Sequence, residues 1–263
     1  TPNFWRLEWL GITSRIELIP FDLLDQTSII DALKLAKPHE VYNLAAQSYV
    51  GASFEQPVAT GEITGLGLTR ILDSVRIVDP EIKFYQASSS EMFGNSNEVP
   101  QTLNTPFSPS SPYAAAKLYA HVITKNYRDA YDLFACAGIL FNHESPLRGL
   151  EFVTRKITYI MSGIKLGVFD SISLGNIEAE RDWGYAPDYV EGMWLMLQKT
   201  TPEEYILATG MSHSVLKFLE HTSEILNLDY KKYLKIDSQL LRPTDVHKLL
   251  GDSSKAQLEL KWN

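Results

Sequence analysis

Lys83-Phe84-Tyr85-Gln86-Ala87 is an apolar, aromatic-rich run that opens directly onto Ser88-Ser89-Ser90-Glu91-Met92-Phe93-Gly94. The first five residues suit a strand, and the polar continuation marks a turn at its carboxyl end. Pro112 to Tyr131 then reads as a long helix with proline near its first turn. Phe134 to Phe141 follows as a continuous apolar run, the pattern of a strand buried on both faces. Strand, helix and strand in this order form the unit of a parallel sheet.

The same alternation extends outward. Upstream, Glu40 to Ala45 predicts a strand, and Ile63 to Val78 a helix with apolar positions at Ile63, Leu66, Leu68, Ile71, Leu72 and Val75. Ile16 to Ile19 predicts a short strand stopped by Pro20, and Ser28 to Ala36 a helix. Downstream, helices are expected at 152–164, 189–197 and 215–226, with strands at 171–174 and 204–208. The predicted fold is α/β: a Rossmann-like, doubly wound parallel sheet with a smaller C-terminal lobe. The expected division is 1–150 for the sheet domain and 151–263 for the lobe, with some later segments returning to the sheet.

Composition narrows the class of function. Of 263 residues, 44% are hydrophobic and 21% charged, which suits an ordinary globular domain with a sizeable core. A formal charge of -8 offers no electrostatic footprint for nucleic acid. No stretch approaches the roughly 20 apolar residues of a membrane span. The opening Thr1-Pro2-Asn3-Phe4-Trp5-Arg6 lacks the layout of a signal peptide. The single Cys136 sits in an apolar run and is expected to be a buried structural thiol. A cytoplasmic protein follows from these features. Gly65-Leu66-Gly67 falls inside the predicted helix, so helix packing rather than phosphate binding accounts for it.

Chemistry enters at the serine-rich turn. Ligands of open parallel sheets bind outside the carboxyl ends of the strands, where Ser89 and Glu91 are expected. Tyr113 and Lys117 are four residues apart and share one helix face. A phenol with a pKa near ~10 is a poor base at neutral pH, but a nearby ammonium stabilises its phenolate. A serine hydroxyl beside them can hydrogen-bond a substrate oxygen during hydride transfer.

These stretches resemble the extended short-chain dehydrogenase/reductase family, and within it the GDP-mannose 4,6-dehydratases. The likeness is carried by Val41-Tyr42-Asn43-Leu44-Ala45-Ala46-Gln47-Ser48, the Ser89/Glu91 turn, Ser111 to Lys117, Asn142-His143-Glu144-Ser145-Pro146, Arg181-Asp182-Trp183-Gly184 and Arg242-Pro243-Thr244-Asp245-Val246. It covers nearly the whole chain. It implies an NADP-dependent hydro-lyase with Ser89, Glu91, Tyr113 and Lys117 as catalytic residues. Glu91 would separate a dehydratase from a simple reductase or epimerase, because only elimination needs a base for the C5 proton. The resemblance places Asp22 and Leu23 near the adenine, and Leu44, Ala45, Ala46 and Ser48 along the cofactor with Tyr113 and Lys117. His143 and Arg148 lie toward its nicotinamide end and phosphates. It assigns Ser90, Asn142, Lys156, Arg181 and Arg242 to the GDP-sugar, with no metal, no nucleic acid, no membrane, and a homodimer or homotetramer. The family's opening βα unit, with its Gly-rich turn, has no counterpart before residue 15, so that unit is expected to be missing from the sequence. Alternatives are a dehydratase of another GDP-sugar such as GDP-manno-heptose, a 4-keto reductase or epimerase, and a non-catalytic scaffold.

Overall fold

The computed structural model describes residues 3–263. Thr1 and Pro2, with which the opening segment and the expected first domain begin, lie outside the described residues. The first half runs α1 (Trp5–Trp9), α2 (Gln26–Ala36), β1 (Glu40–Asn43), α3 (Val50–Glu55), α4 (Pro57–Thr60), a π-helical turn (Gly61–Leu66), α5 (Gly67–Val78), β2 (Lys83–Ser89) and a 3₁₀ turn (Ser90–Phe93). It continues through α6 (Pro112–Tyr131), β3 (Ala135–Leu140), β4 (Asn142–Glu144) and α7 (Val153–Lys165). Then come β5 (Ile172–Leu174), β6 (Glu180–Tyr185), α8 (Ala186–Leu197), β7 (Glu204–Leu207), β8 (Ser212–Ser214), α9 (Val215–Leu226), β9 (Leu234–Ile236) and α10 (Ser254–Leu260).

The main sheet has the order β1-β2-β3-β7, with every pairing parallel. Successive side chains of a strand point to opposite faces, and β2 shows what that arranges. Phe84 packs with Leu68, Leu72 and Val75 of α5 and Ala120 of α6 on one face. Tyr85 packs with Met193, Met196 and Leu197 of α8 and Ala256 and Leu260 of α10 on the other. Both faces are therefore covered, as a parallel sheet requires. Each fully buried Leu, Val or Phe contributes about 1.5–3 kcal/mol to holding these layers together. No residue of β3 is more than 9% exposed, which accounts for its unbroken apolar sequence.

The later residues build a smaller lobe. β4 pairs in parallel with β6, and β6 antiparallel with β8. β5 pairs with β9. A separate core of Ile157, Met161, Ile172, Leu174, Val215 and Leu219 joins α7 and α9 over these strands. β7, α8 and α10 belong to the main sheet and its cover.

One expected element is corrected. Ile16 to Ile19 is not a strand: the segment is open chain, and Ile16 and Leu18 are exposed. A strand needs a ladder partner, and this segment has none among the described residues. Conversely, β4, β6, β8 and β9 were not predicted. Three of them span three residues each, too short for a two-residue alternation to register.

Among the described residues, α2, α6, α9 and α10 each end on a left-handed residue that carries a side chain: Lys37, Asp132, Asn227 and Lys261. Gly65 and Gly67 pack against Tyr119 and Leu23, in keeping with the helix-packing expectation. Cys136 is fully buried, and burial pushes its thiol up to about 11.

Candidate active site

β2 delivers Ser89 to the carboxyl edge of the sheet, where the strand hands over to the 3₁₀ turn carrying Glu91. Ser89 caps that turn: its Oγ accepts the Glu91 N–H at 3.3 Å. Met92 and Phe93 are fully buried beneath it and anchor it to the core with Phe141 and Ile206. Gly94 closes the turn at φ 58°, and a side chain there would overlap the Ser108 carbonyl oxygen. Only glycine meets both demands.

α6 supplies the second half. Ser111 caps it by accepting the Ala114 N–H at 3.1 Å, and Pro112 takes the first helical position, where no amide hydrogen is required. Tyr113 and Lys117 then rise one above the other. Lys117 is 4% exposed and donates from Nζ to the Ala87 carbonyl at 2.8 Å. Its Nζ stands 5.9 Å from the Tyr113 ring centre. Burial draws the Lys117 pKa down to about 8, because a low-dielectric setting disfavours the ammonium. Burial also pushes the Tyr113 phenol up to about 12; Ser89 and Arg148 pull it down, while the negative charge of Glu91 raises it. Ser89 and Glu91 on the 3₁₀ turn and Arg148 beyond β4 thus all act on the Tyr113 phenol.

The remaining residues border the same edge. Leu44, Ala45, Ala46 and Ser48 form the largely exposed loop after β1, tied back by Gln47 N–H to Thr64 Oγ1 at 3.1 Å. Asp22 and Leu23 lie on the loop before α2, where Asp22 accepts the Leu24 N–H at 2.9 Å. His143 stacks on Tyr189 with ring centres 4.9 Å apart, and its Nδ1–H donates to the Phe141 carbonyl at 2.9 Å. Burial holds its pKa below the ordinary value, leaving Nε2 of the neutral ring as an acceptor. Arg148 pairs with Glu144 at 3.3 Å and lies over the Phe152 ring at 3.5 Å.

Farther along, Asn142 is partly buried on β4 and Lys156 on α7, where burial lowers the Lys156 pKa. Arg181 is buried on β6 and donates to the Val246 carbonyl at 2.8 Å and the Glu180 carbonyl at 2.9 Å. Asp245 pairs with Arg181 at 3.4 Å and Arg242 at 3.6 Å. Burial lowers the Arg181 pKa, while the charges of Glu91 and Asp245 raise it. Ser90 differs from the rest: it is buried within the 3₁₀ turn.

A family model described as GDP-mannose 4,6 dehydratase matches residues 1–263. The chain belongs to the GDP-mannose 4,6-dehydratase family. It is 52% identical over 245 residues to GDP-mannose 4,6 dehydratase 1 of Arabidopsis thaliana, covering 92% of this chain and 68% of that one. It is 47% identical over 260 residues to the GDP-mannose 4,6 dehydratase of Dictyostelium discoideum, covering 92% of this chain and 73% of the relative. Among solved structures, RMD of Pseudomonas aeruginosa, in complex with NADPH, superposes with a TM-score of 0.85 at 21% identity, covering 97% of this chain and 88% of that one. At that identity the likeness shows the fold.

Three residues of this GDP-mannose 4,6-dehydratase family member were missed by the sequence reading. Asp182 is fully buried and accepts from Thr209 N–H at 2.8 Å, Thr209 Oγ1–H at 2.7 Å and Gly210 N–H at 2.9 Å, fixing the loop after β7. Asp245 gathers the two arginines. His121, buried on α6, bonds Ser88. Asp182 and Asp245 stand inside the Arg181–Gly184 and Arg242–Val246 stretches, and His121 carried a signal of its own in its spacing of four from Lys117 and eight from Tyr113. Among the described residues no cluster of His, Cys, Asp or Glu is placed to hold a metal, and no helix is long and apolar enough to cross a membrane.

Proposed function

We propose that this chain converts GDP-D-mannose to GDP-4-keto-6-deoxy-D-mannose with NADP as cofactor, using Tyr113, Lys117, Ser89 and Glu91. Membership of the family makes dehydration of GDP-mannose the activity of the chain. The observation that carries the residue assignment is the placement of Glu91. It shares a turn with Ser89 and sits close enough to the Tyr113 phenol to raise its pKa.

The residues present fit a nicotinamide dinucleotide. Among the described residues Lys117, a buried ammonium, donates to Ala87 O, which leaves two of its three donors for ribose hydroxyls. The open loop 44–48 borders the carboxyl end of β1, where a dinucleotide lies in this class of sheet. Arg148 and the Nε2 of His143 complete the edge. RMD of Pseudomonas aeruginosa was solved with NADPH, which supports NADP as the choice. Held by these residues, the nicotinamide would supply hydride acceptance at C4 and hydride donation at C6.

The protein's own groups move the protons. Tyr113 takes the proton of the C4 hydroxyl, and the ammonium of Lys117 stabilises the phenolate that makes this possible. Ser89 holds the C4 oxygen as it changes from hydroxyl to ketone. The ketone acidifies the C5 proton, which Glu91 removes and passes to the departing C6 hydroxyl so that it leaves as water; when hydride reaches C6, C5 takes up a proton from solvent, balanced by the one Tyr113 gives back. Asn142, Lys156, Arg181 and Arg242 hold the GDP portion, with Ser90 shaping the turn from beneath. Asp22 and Leu23 border the adenosine half.

Two further readings concern assembly and place. A shallow groove lined by Pro57, Val58, Gly61, Leu66, Ala116 and Tyr119 exposes apolar surface along the π-turn and α6. It supports a homodimer, or a tetramer built from it. A single buried cysteine and the absence of a membrane-crossing helix among the described residues support the cytoplasm.

The test is incubation with GDP-mannose and NADP in D2O, followed by mass spectrometry of the sugar nucleotide. Loss of one water with solvent deuterium at C5 is expected. Oxidised sugar that keeps its C6 hydroxyl would overturn the assignment of elimination to this site. Replacing NADP by NAD tests the cofactor, with slower turnover expected.

A further inference from the structure

Outside the four reacting residues, one buried polar pair joins the two halves of the site. His121 Nδ1 and Ser88 Oγ lie 2.9 Å apart, and both residues are buried. Ser88 immediately precedes Ser89. His121 lies one turn beyond Lys117 and two beyond Tyr113 on the same face of α6. We infer that His121 is a positioning residue for the dehydration. Its bond to Ser88 sets the catalytic turn of Ser89 and Glu91 against the helix face of Tyr113 and Lys117.

Two features favour registration over a satisfied core histidine. First, α6 meets β2 at consecutive residues: Lys117 bonds the Ala87 carbonyl at 2.8 Å and His121 the Ser88 hydroxyl. Lys117 also serves the phenol and the cofactor edge in the proposed mechanism, so the His121 bond is the fastening free of any other duty. Second, the imidazole reaches the far end of the same turn. Its ring meets Phe107 edge-on at 5.4 Å and 73°, and Phe107 packs on Phe93 at 5.1 Å. Phe93 is the last residue of the turn that carries Glu91. His121 thus grips the turn before its first residue and, through Phe107, at its last. Burial holds the imidazole neutral, so one ring nitrogen donates and the other accepts, and the bond to a hydroxyl persists in either tautomer.

This inference rests on the dehydratase reading, in which two proton transfers on different elements act on one sugar ring. A small loss of register should spare binding and upset the hand-over between them, since sub-ångström misplacement at a reacting centre alters rate more than affinity. His121→Phe keeps the ring against Phe107 and removes both nitrogens, and Ser88→Ala removes the other partner. Each should lower kcat by about tenfold, with the KM for GDP-mannose within about twofold of the parent. Each should also release oxidised, undehydrated sugar, seen as lasting reduction of the nicotinamide. The double variant should be no worse than either single one. His121→Asn, which places an amide near the Nδ1 position, should restore most of the loss.

Loss of activity in proportion to loss of folded protein, with product partition unchanged, would overturn the inference, as would unchanged kinetics in both variants. If the parent chain fails to dehydrate GDP-mannose, the functional reading falls and the clamp is judged alone. Its imidazole ¹⁵N shifts must then change in Ser88→Ala, and unaltered shifts would sink it.

Discussion

Replacing Lys117 with methionine separates what the ammonium does for chemistry from what it does to the fold. Methionine is unbranched and apolar, and Lys117 is 4% exposed. Burial brings the lysine pKa from 10.5 to about 8. The folded chain therefore holds this proton less tightly than the unfolded chain does. Between those two values the unfolded state binds more protons, so stability rises with pH across that window. Below about pH 8 the whole penalty is present. The interval from 10.5 to about 8 corresponds to roughly 3 kcal/mol at about 1.4 kcal/mol per pH unit. Against it stands the lost bond to the Ala87 carbonyl, about 1.5 kcal/mol or somewhat more because the donor is charged. Lys117→Met should then be more stable than the parent by about 1 kcal/mol at neutral pH. At about pH 10.5 the first contribution has vanished and the order should reverse. Urea denaturation of the nucleotide-free proteins at the two pH values reads both differences. Turnover should fall by at least about 100-fold, since the phenolate loses its cation. A stability difference of the same sign and size at both pH values would refute the reasoning.

Glu91→Gln should preserve nicotinamide reduction by GDP-mannose while slowing water loss by about 10²–10⁴-fold, the usual worth of a positioned base. Water loss within tenfold of the parent would remove Glu91 from the elimination. Asp182→Ala strips the acceptor from three donors around Thr209 and Gly210 and should destabilise by roughly 2–4 kcal/mol in a denaturant titration. Ser111→Ala loses the cap of α6 and should lower stability by about 1 kcal/mol. Because Tyr113 lies in that first turn, kcat should fall further than the small stability change explains.

Much of the sheet was legible because burial on both faces leaves a strong trace. The apolar run at β3 and the helix of Tyr113 and Lys117 both appeared where the residues placed them. The Ile16–Ile19 segment misled because alternation reports which residues can pair, not whether a partner is present. Short strands such as β4 and β8 depend on neighbours distant in sequence and leave no local pattern. Within the site, the Tyr113–Lys117 spacing was readable because a helix repeats. The role of Asp182 was not, because its partners, two backbone amides and the Thr209 hydroxyl, lie some 27 residues away. Arg181 was marked by its motif, yet its inward bonds to the Glu180 and Val246 carbonyls depend on how the lobe folds back.

The left-handed helix ends have a practical side. Lys37 and Asp132 stand just before β1 and β3, at the edge of the sheet opposite Ser89 and Glu91. A side chain at such a position is strained by about 1 kcal/mol, and glycine relieves it with part of the gain returned to unfolded-chain entropy. Lys37→Gly and Asp132→Gly would therefore toughen the molecule from its far rim. The parallel arrangement gives the enzyme two ends that can be edited independently, one for endurance and one for reactivity.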